Sequence, residues 1–365
     1  GNKTENCIGG NDLWILKLDS VGNIVWQQTI GGGLDDKLGS MFLYADGTLM
    51  LAATSLSNSS SDKTEDCLGN FDYWLLKLDT MGNIIWQNTM GGTNADLITS
   101  IQPTADMGFI VSGQSMSDTS SDKTENKIGY YDFWVLKFDA AYNVQWQNTI
   151  GGISYDADPI VKQALDGSYF LTGMSYSTTV SDFTGPSYGD TDVLVAGLDS
   201  SGNVTWSTFA GGLQNESPAE FININDTSFV ICANSNSKIS GRKTLMSYST
   251  GDYWIVKMTR ISTIAGKLFI DANSNAVLDS NEVALIANRV INNNSGDYVY
   301  SQRNGRYKTA VSDTGSYQIA PKPIPYYQAS PAIRTIVIDT LQKSKAYNDF
   351  AFQPTSVVND LQVSI

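Results

Sequence analysis

Asp72-Tyr-Trp-Leu-Leu-Lys-Leu-Asp79 has two near copies, Asp12-Leu-Trp-Ile-Leu-Lys-Leu-Asp19 and Asp132-Phe-Trp-Val-Leu-Lys-Phe-Asp139, each 60 residues away. The spacing continues through Asp192 and Asp252. A fixed period of this size marks stacked supersecondary units, none of which can bury its apolar surface alone. Residues 14–18 are apolar on both faces of a would-be strand. That suits a sheet held between two others.

Each repeat parses into four short strands. Two precede the quoted one, at 38–44 and 49–55, with counterparts at 98–104 and 109–115, 159–164 and 169–175, and 219–224 and 229–235. Asp46-Gly47, Asp106-Met-Gly108, Asp166-Gly167 and Asp226-Thr227 supply the hairpin turns between them. Gly22-Asn23, Gly82-Asn83 and Gly202-Asn203 lead into the fourth strand, typified by 24–30 and closed by Gly31-Gly32. All eight tryptophans fall in third or fourth strands. The pattern predicts an all-β fold, a β-propeller of four-stranded blades. Residues 2–33 carry only a third and fourth strand, and 217–258 only three strands. Either the chain starts within the propeller, or the ring closes by pairing its N-terminal strands with the last blade. Blade number stays open.

Asp36, Asp96, Asp156 and Glu216 form a second series at the same period, as do Ser55/Ser57, Ser115/Ser117, Ser175/Ser177 and Ser235/Ser237. They read as turn caps and ties to loop N–H groups, because a residue present in every unit usually serves the unit. The alternative is a ring of carboxylates for cations or sugars. The loop Asp62-Lys-Thr-Glu-Asp66, repeated at 2–6 and 122–126 and lost at 181–185, reads as solvated. Its alternative is a ligand at Asp62, Glu65 and Asp66.

Composition narrows the function. The net charge of −14 argues against nucleic acid and anionic membranes as partners. No apolar run approaches a membrane span. Histidine is absent, which removes the commonest general base and zinc ligand. Cys7 and Cys67 occupy equivalent positions one repeat apart, too far for a disulfide, and Cys232 sits in an apolar run as a core thiol. The polar series obeys the repeat instead of breaking it, so no catalytic constellation is expected.

After Arg260 the repeat stops. From Asp271, oxygen-bearing side chains stand at the first, third, fifth, ninth and twelfth places, namely Asp271, Asn273, Asn275, Asp279 and Glu282. Val277, at the seventh, offers a backbone carbonyl. This is the ligand schedule of a twelve-residue calcium loop. Ala276 stands where glycine normally permits the sharp turn. The flanks 267–270 and 287–291 are β-like, so a helix–loop–helix sensor is excluded. The metal-free alternative is a polar Asx-rich turn.

Residues 264–352 resemble the calcium-binding B-type repeats of Gram-positive Sdr adhesins and related Ig-like, prealbumin-type modules. The resemblance rests on Gly266-Lys-Leu-Phe269, the Asp271–Glu282 loop and Asp313-Thr-Gly-Ser-Tyr317. The Asp-x-Trp-x-x-Lys-Leu-Asp and Gly-Asn-Ile-x-Trp wording is similar to propeller repeats in large secreted surface proteins of Bacteroidetes. Such proteins often carry a module of this kind next and use type IX secretion. The resemblance implies architecture and a secreted or cell-surface location, and no activity.

The expected organisation is therefore a propeller over 1–260, a calcium-binding Ig-like or prealbumin-like β-sandwich over 261–352, and a linker over 353–365. Asn348-Asp-Phe-Ala-Phe-Gln-Pro354 and Val358-Asn-Asp-Leu361 read as that linker. The expected function is a non-enzymatic surface or adhesin component, whose propeller binds or displays on a calcium-stiffened stalk. The alternative is a glycan-binding accessory propeller of a secreted degradative enzyme. Partners would be an extracellular protein or glycan, with no nucleic acid and no membrane insertion.

Overall fold

The computed structural model describes residues 2–177, 187–224, 228–249, 251–259, 262–311, 315–338 and 344–355. The Asp226-Thr227 turn, the 181–185 loop, Asp313-Thr314 and the 358–361 segment lie outside these. The chain divides into two compact units, Gly1–Met258 and Thr259–Ile365.

In the first unit, β1 (Leu13–Leu18) and β2 (Ile24–Ile30) make a two-stranded sheet. Three four-stranded sheets follow in chain order. They are β3 (Asp36–Leu43), β4 (Leu49–Ser55), β5 (Asp72–Leu78) and β6 (Ile84–Met90); β7 (Asp96–Pro103), β8 (Phe109–Ser115), β9 (Asp132–Phe138) and β10 (Val144–Ile150); and β11 (Asp156–Gln163), β12 (Tyr169–Ser175), β13 (Asp192–Leu198) and β14 (Val204–Ala210). A three-stranded sheet closes the series: β15 (Glu216–Asn223), β16 (Ser228–Ser235) and β17 (Asp252–Thr259). The strands carrying Trp14, Trp74 and Trp134 therefore lie in three separate sheets.

The first strand of each repeat begins earlier than the sequence suggests. Asp36 already pairs with Ser55, and Asp96 with Ser115, so their backbone is in the ladder while their carboxylates reach back to the preceding Gly-Gly turn.

The doubly apolar third strand explains the stacking. Leu13 and Ile15 pack with Trp74 and Leu76 of the next sheet. Tyr73 and Leu75 pack in turn with Trp134 and Leu136. Phe133 and Val135 meet Leu194 and Ala196, and Val193 and Val195 meet Trp254. Each strand thus offers one face forward and one face back. At the two ends this contact is missing: Trp14 is 42% exposed and Tyr253 is 83% exposed, whereas Trp74 and Tyr73 are at 0%. Among the described residues no closed ring is seen, and β1 and β2 do not join the β15–β17 sheet.

The second unit contains β18 (Ser262–Ile270), β19 (Val283–Ala284), β20 (Arg289–Asn292), β21 (Tyr298–Tyr300), β22 (Arg306–Val311), β23 (Gly315–Pro321), β24 (Tyr327–Ser330), β25 (Arg334–Ile338), β26 (Ser344–Lys345) and β27 (Phe350–Pro354). One sheet runs β19-β18-β27-β24, with β22 and β26 also on β18, and the other runs β21-β20-β23-β25. Ile264, Leu268, Phe350 and Phe352 of the first sheet share a core with Val290, Ile319, Ile336 and Ile338 of the second. This is a β-sandwich.

Residues 348–354 are not a linker. Phe350 and Phe352 alternate into the core, and β27 pairs parallel with β18, Leu268 opposite Phe350 and Ile270 opposite Phe352. Burying two phenylalanines outweighs the polar look of Asn348 and Asp349. Those two residues are themselves occupied: the Lys267 N–H donates to Asp349 (2.7 Å) and the Asn348 N–H to the Ala265 carbonyl (3.1 Å).

Candidate calcium loop and the repeated polar clasps

The loop that follows β18 is organised around Asp271, which is buried at the strand end. Its N–H donates to the Phe352 carbonyl (3.0 Å), which fixes the loop to β27. Its carboxylate accepts the N–H groups of Asn275 (3.1 Å) and Ala276 (2.9 Å) and the Gln353 amide (2.9 Å). Burial alone would raise the Asp271 pKa, but the Gln353 amide and the loop N–H groups more than offset it, so the net shift is downward. The carboxylate is held charged.

Ala276 takes the left-handed conformation, φ 62°, as does Ser274 at 59°. The sharp turn usually given to glycine therefore forms here with alanine, at a cost in backbone strain. Glu282 reaches back across the loop and accepts the N–H groups of Ala272 (2.8 Å) and Asp279 (3.0 Å). Asn273 and Asn275 each donate an amide N–H to the same Asp279 oxygen, at 2.7 and 2.9 Å. Asn275 also accepts the Val277 N–H (2.7 Å). The five side chains singled out by spacing are thus linked by hydrogen bonds within one short loop, together with Gln353, which the sequence did not mark.

Among the described residues, no group of three or more His, Cys, Asp or Glu side chains converges tightly enough to hold a metal. The donor set is mixed: three carboxylates, two amides and the Val277 carbonyl. Mixed oxygen sets of this kind fit calcium, which takes six to eight hard oxygens without a strict geometry. The fit would need the two amides to present oxygen to the ion in place of the N–H groups they now give Asp279.

In the first unit the recurring carboxylates serve the fold. Asp36, Asp96, Asp156 and Glu216 accept the N–H of the second glycine of each Gly-Gly pair, at 2.6–2.8 Å. Ser57, Ser117 and Ser177 donate to the first three, and Ser235 to Glu216. Asp12, Asp72 and Asp192 each accept two consecutive loop N–H groups. No cation-binding ring is needed to account for them.

The Asp62–Asp66 loop is solvated only in part: Thr64 and Asp66 are exposed and Asp66 accepts the Ser59 N–H (2.9 Å), but its centre is folded inward. Lys63 is buried, its ammonium donating to the Glu65 carbonyl (3.0 Å) and Thr89 Oγ1 (3.0 Å). The Glu65 carboxylate accepts the Thr89 N–H (2.5 Å). Gln87 closes the clasp by accepting from Trp74 Nε1 (3.1 Å) and donating to the Asp62 carbonyl (2.9 Å). Lys123, Glu125, Thr149 and Gln147 repeat the arrangement one sheet later. The three cysteines are free.

Burial has a price in charge. Asp72 and Asp156 are pushed up to about 6, by desolvation first, with loop N–H groups pulling the other way and a neighbouring carboxylate adding to the rise. Desolvation likewise lowers Lys123 to about 8, partly opposed by the Asp96 carboxylate.

No family model matches this chain, and no curated protein does. Among solved structures it is similar to Kuenenia stuttgartiensis hydrazine synthase, at 12% identity and a TM-score of 0.37, over 83% of this chain and 81% of that one. It is also similar to an ACO/RPE65 chimera, at 10% identity and 0.31, over 88% and 64%. A third is BcpA, the major pilin subunit of Bacillus cereus, at 10% identity and 0.21, over 87% and 95%. At such scores the likenesses carry no argument about fold or function. Among the described residues no helix is long and apolar enough to cross a membrane.

Proposed function

We propose that this chain is a non-enzymatic, extracellular binding-and-display module of a secreted or cell-surface protein. In this reading the stacked sheets are blades of a propeller, and the sandwich is a calcium-stiffened stalk of the Sdr-like type. The observation that carries the reading is the Asp271 loop. A charged carboxylate is buried at a strand end, holds the Asn275 and Ala276 N–H groups of one short loop, and is fastened to the final strand through Phe352 and Gln353. Millimolar calcium is an extracellular condition, and loops of this ligand count suit it. The apolar faces carrying Trp14 and Tyr253 support the propeller reading, since each is the surface that another sheet of the same type covers inside the stack.

Calcium would be held by Asp271, Asn273, Asn275, the Val277 carbonyl, Asp279 and Glu282. The ion supplies charge neutralisation among three carboxylates that otherwise repel one another. Calorimetry on the whole chain should show the sandwich transition rising with calcium between micromolar and millimolar ion, because an ion bound only to the folded state stabilises it. Asp271→Ala should abolish the calcium-dependent increment whatever it does to the ion-free melting temperature. Asn275→Ala should reduce the increment less, since it removes a neutral ligand. A melting temperature indifferent to millimolar calcium leaves the metal-free Asx turn.

A further inference from the structure

One junction between sheets departs from the repeat in a concentrated way. Tyr130, Tyr131, Tyr155 and Tyr176 stand together where β9, β11 and β12 begin or end. The same four positions hold Gly10, Asn11, Asp35 and Leu56 two junctions earlier in the stack. In the next they hold Asn70, Phe71, Ala95 and Met116, and in the last Asp190, Thr191, Asn215 and Asn236. Elsewhere the fold builds this junction with at most one aromatic ring, Phe71, and does not require four here.

The rings form a continuous edge-to-face chain. Centroids are 5.5 Å apart for Tyr130–Tyr131, 5.1 Å for Tyr131–Tyr155 and 5.7 Å for Tyr155–Tyr176, with interplanar angles of 72–87°. Tyr130 is 60% exposed and Tyr176 43% exposed, so rings are presented to solvent at both ends of the chain. The contacts hold each ring at little entropic cost to a ligand.

Two further departures from the repeat adjoin them. Gln114 donates to the Tyr155 hydroxyl (3.2 Å) and accepts the Asp158 N–H (3.0 Å). Asp158 stands where other sheets have Leu38, Ile98 and Pro218, and it is held in the left-handed conformation at φ 52°. Gln114, Asp158 and Lys37 line one cavity of about 980 Å³. A strained, non-repeated carboxylate beside an aromatic row is a feature the scaffold itself does not explain.

We infer that this junction is a binding site for a neutral saccharide. The assignment rests on reading the first unit as a binding scaffold, and it names the ligand class. Tyrosine faces suit the C–H faces of pyranose rings, while Gln114, Asp158, Lys37 and the tyrosine hydroxyls can exchange hydrogen bonds with ring hydroxyls. The net charge of −14 disfavours acidic glycans. A compact cation does not fit between rings that already touch edge to face.

The test is native gel electrophoresis of the whole chain through soluble barley β-glucan, xylan, galactomannan and starch, with chondroitin sulfate as the acidic control. At least one neutral polymer should retard the protein. The Tyr130→Ala, Tyr176→Ala double variant removes exposed rings only, and should weaken that retardation about tenfold or more. Asp158→Asn should weaken it with the backbone left in place. Absence of retardation on every neutral polymer overturns the saccharide assignment, as does retardation by chondroitin sulfate alone or its displacement by tetramethylammonium chloride. Retardation unchanged in both variants places the ligand elsewhere. None of these outcomes touches the calcium test of the display reading.

Discussion

Trp74→Ala is expected to destabilise the first unit by about 3–5 kcal/mol, the range for truncating a large aromatic in a packed core. Trp74 is fully buried against Leu13 and Ile15 of the preceding sheet and donates to Gln87. Trp14 occupies the same place in its own repeat but faces outward at 42% exposure. Its truncation should cost no more than about 1–2 kcal/mol, since only part of its apolar area leaves water. Denaturant unfolding followed at the first-unit transition measures both. Equal losses would mean that the outward face of β1 is covered in solution, contrary to the open stack.

The second large effect is on pH. Asp72 and Asp156 sit near 6 in the folded protein, above the ordinary carboxylate value near 4 in the unfolded chain. The folded state therefore binds protons more tightly, and stability falls as pH rises from about 4 through 6. Each site contributes on the order of 2 kcal/mol across that window. Carboxylates held low, such as Asp106 at about 2 through burial outweighed by Lys137 and Thr104, act in the opposite sense and only below about pH 4. The melting temperature of the first unit should rise between pH 7 and pH 5 and fall again in stronger acid. Asp72→Asn should raise it at pH 8 and flatten the slope, since the buried Oδ1 without a partner is replaced by a neutral group. A melting temperature that declines steadily from pH 7 to pH 5 would count against the assignment.

The sheets were legible because their evidence is redundant. Asp, Trp, Gly-Gly and Gly-Asn recur on the 60-residue period, and turn signals bound each short apolar run. Whether the ring closes was not legible, because closure depends on contacts between sheets that no single repeat encodes. Lys63 misled for a similar reason: a Lys-Thr-Glu run reads as a wet loop until the chain folds Thr89 onto it. The available signal was that Thr29, Thr89 and Thr149 keep a constant separation from Lys3, Lys63 and Lys123. In the sandwich, the loop from Asp271 to Glu282 was legible because ligand spacing is local. Gln353 was not, since it reaches Asp271 only through the parallel pairing of β27. The tyrosine row was visible as four tyrosines at positions that hold none in the other repeats, but its continuity exists only once three strands meet.

That parallel pairing has a mechanical consequence. A tensile force applied between residue 259 and residue 355 pulls β18 by its N-terminal end and β27 by its C-terminal end. Adjacent parallel strands loaded this way slide along each other. The hydrogen bonds between 268–270 and 350–352 then bear load together in shear, and do not open one at a time from an edge. The Asp271 N–H to Phe352 and the Gln353 amide to Asp271 pin the same two strands at the loop, so the rupture force of the sandwich is set at the end of β18 where Asp271 stands.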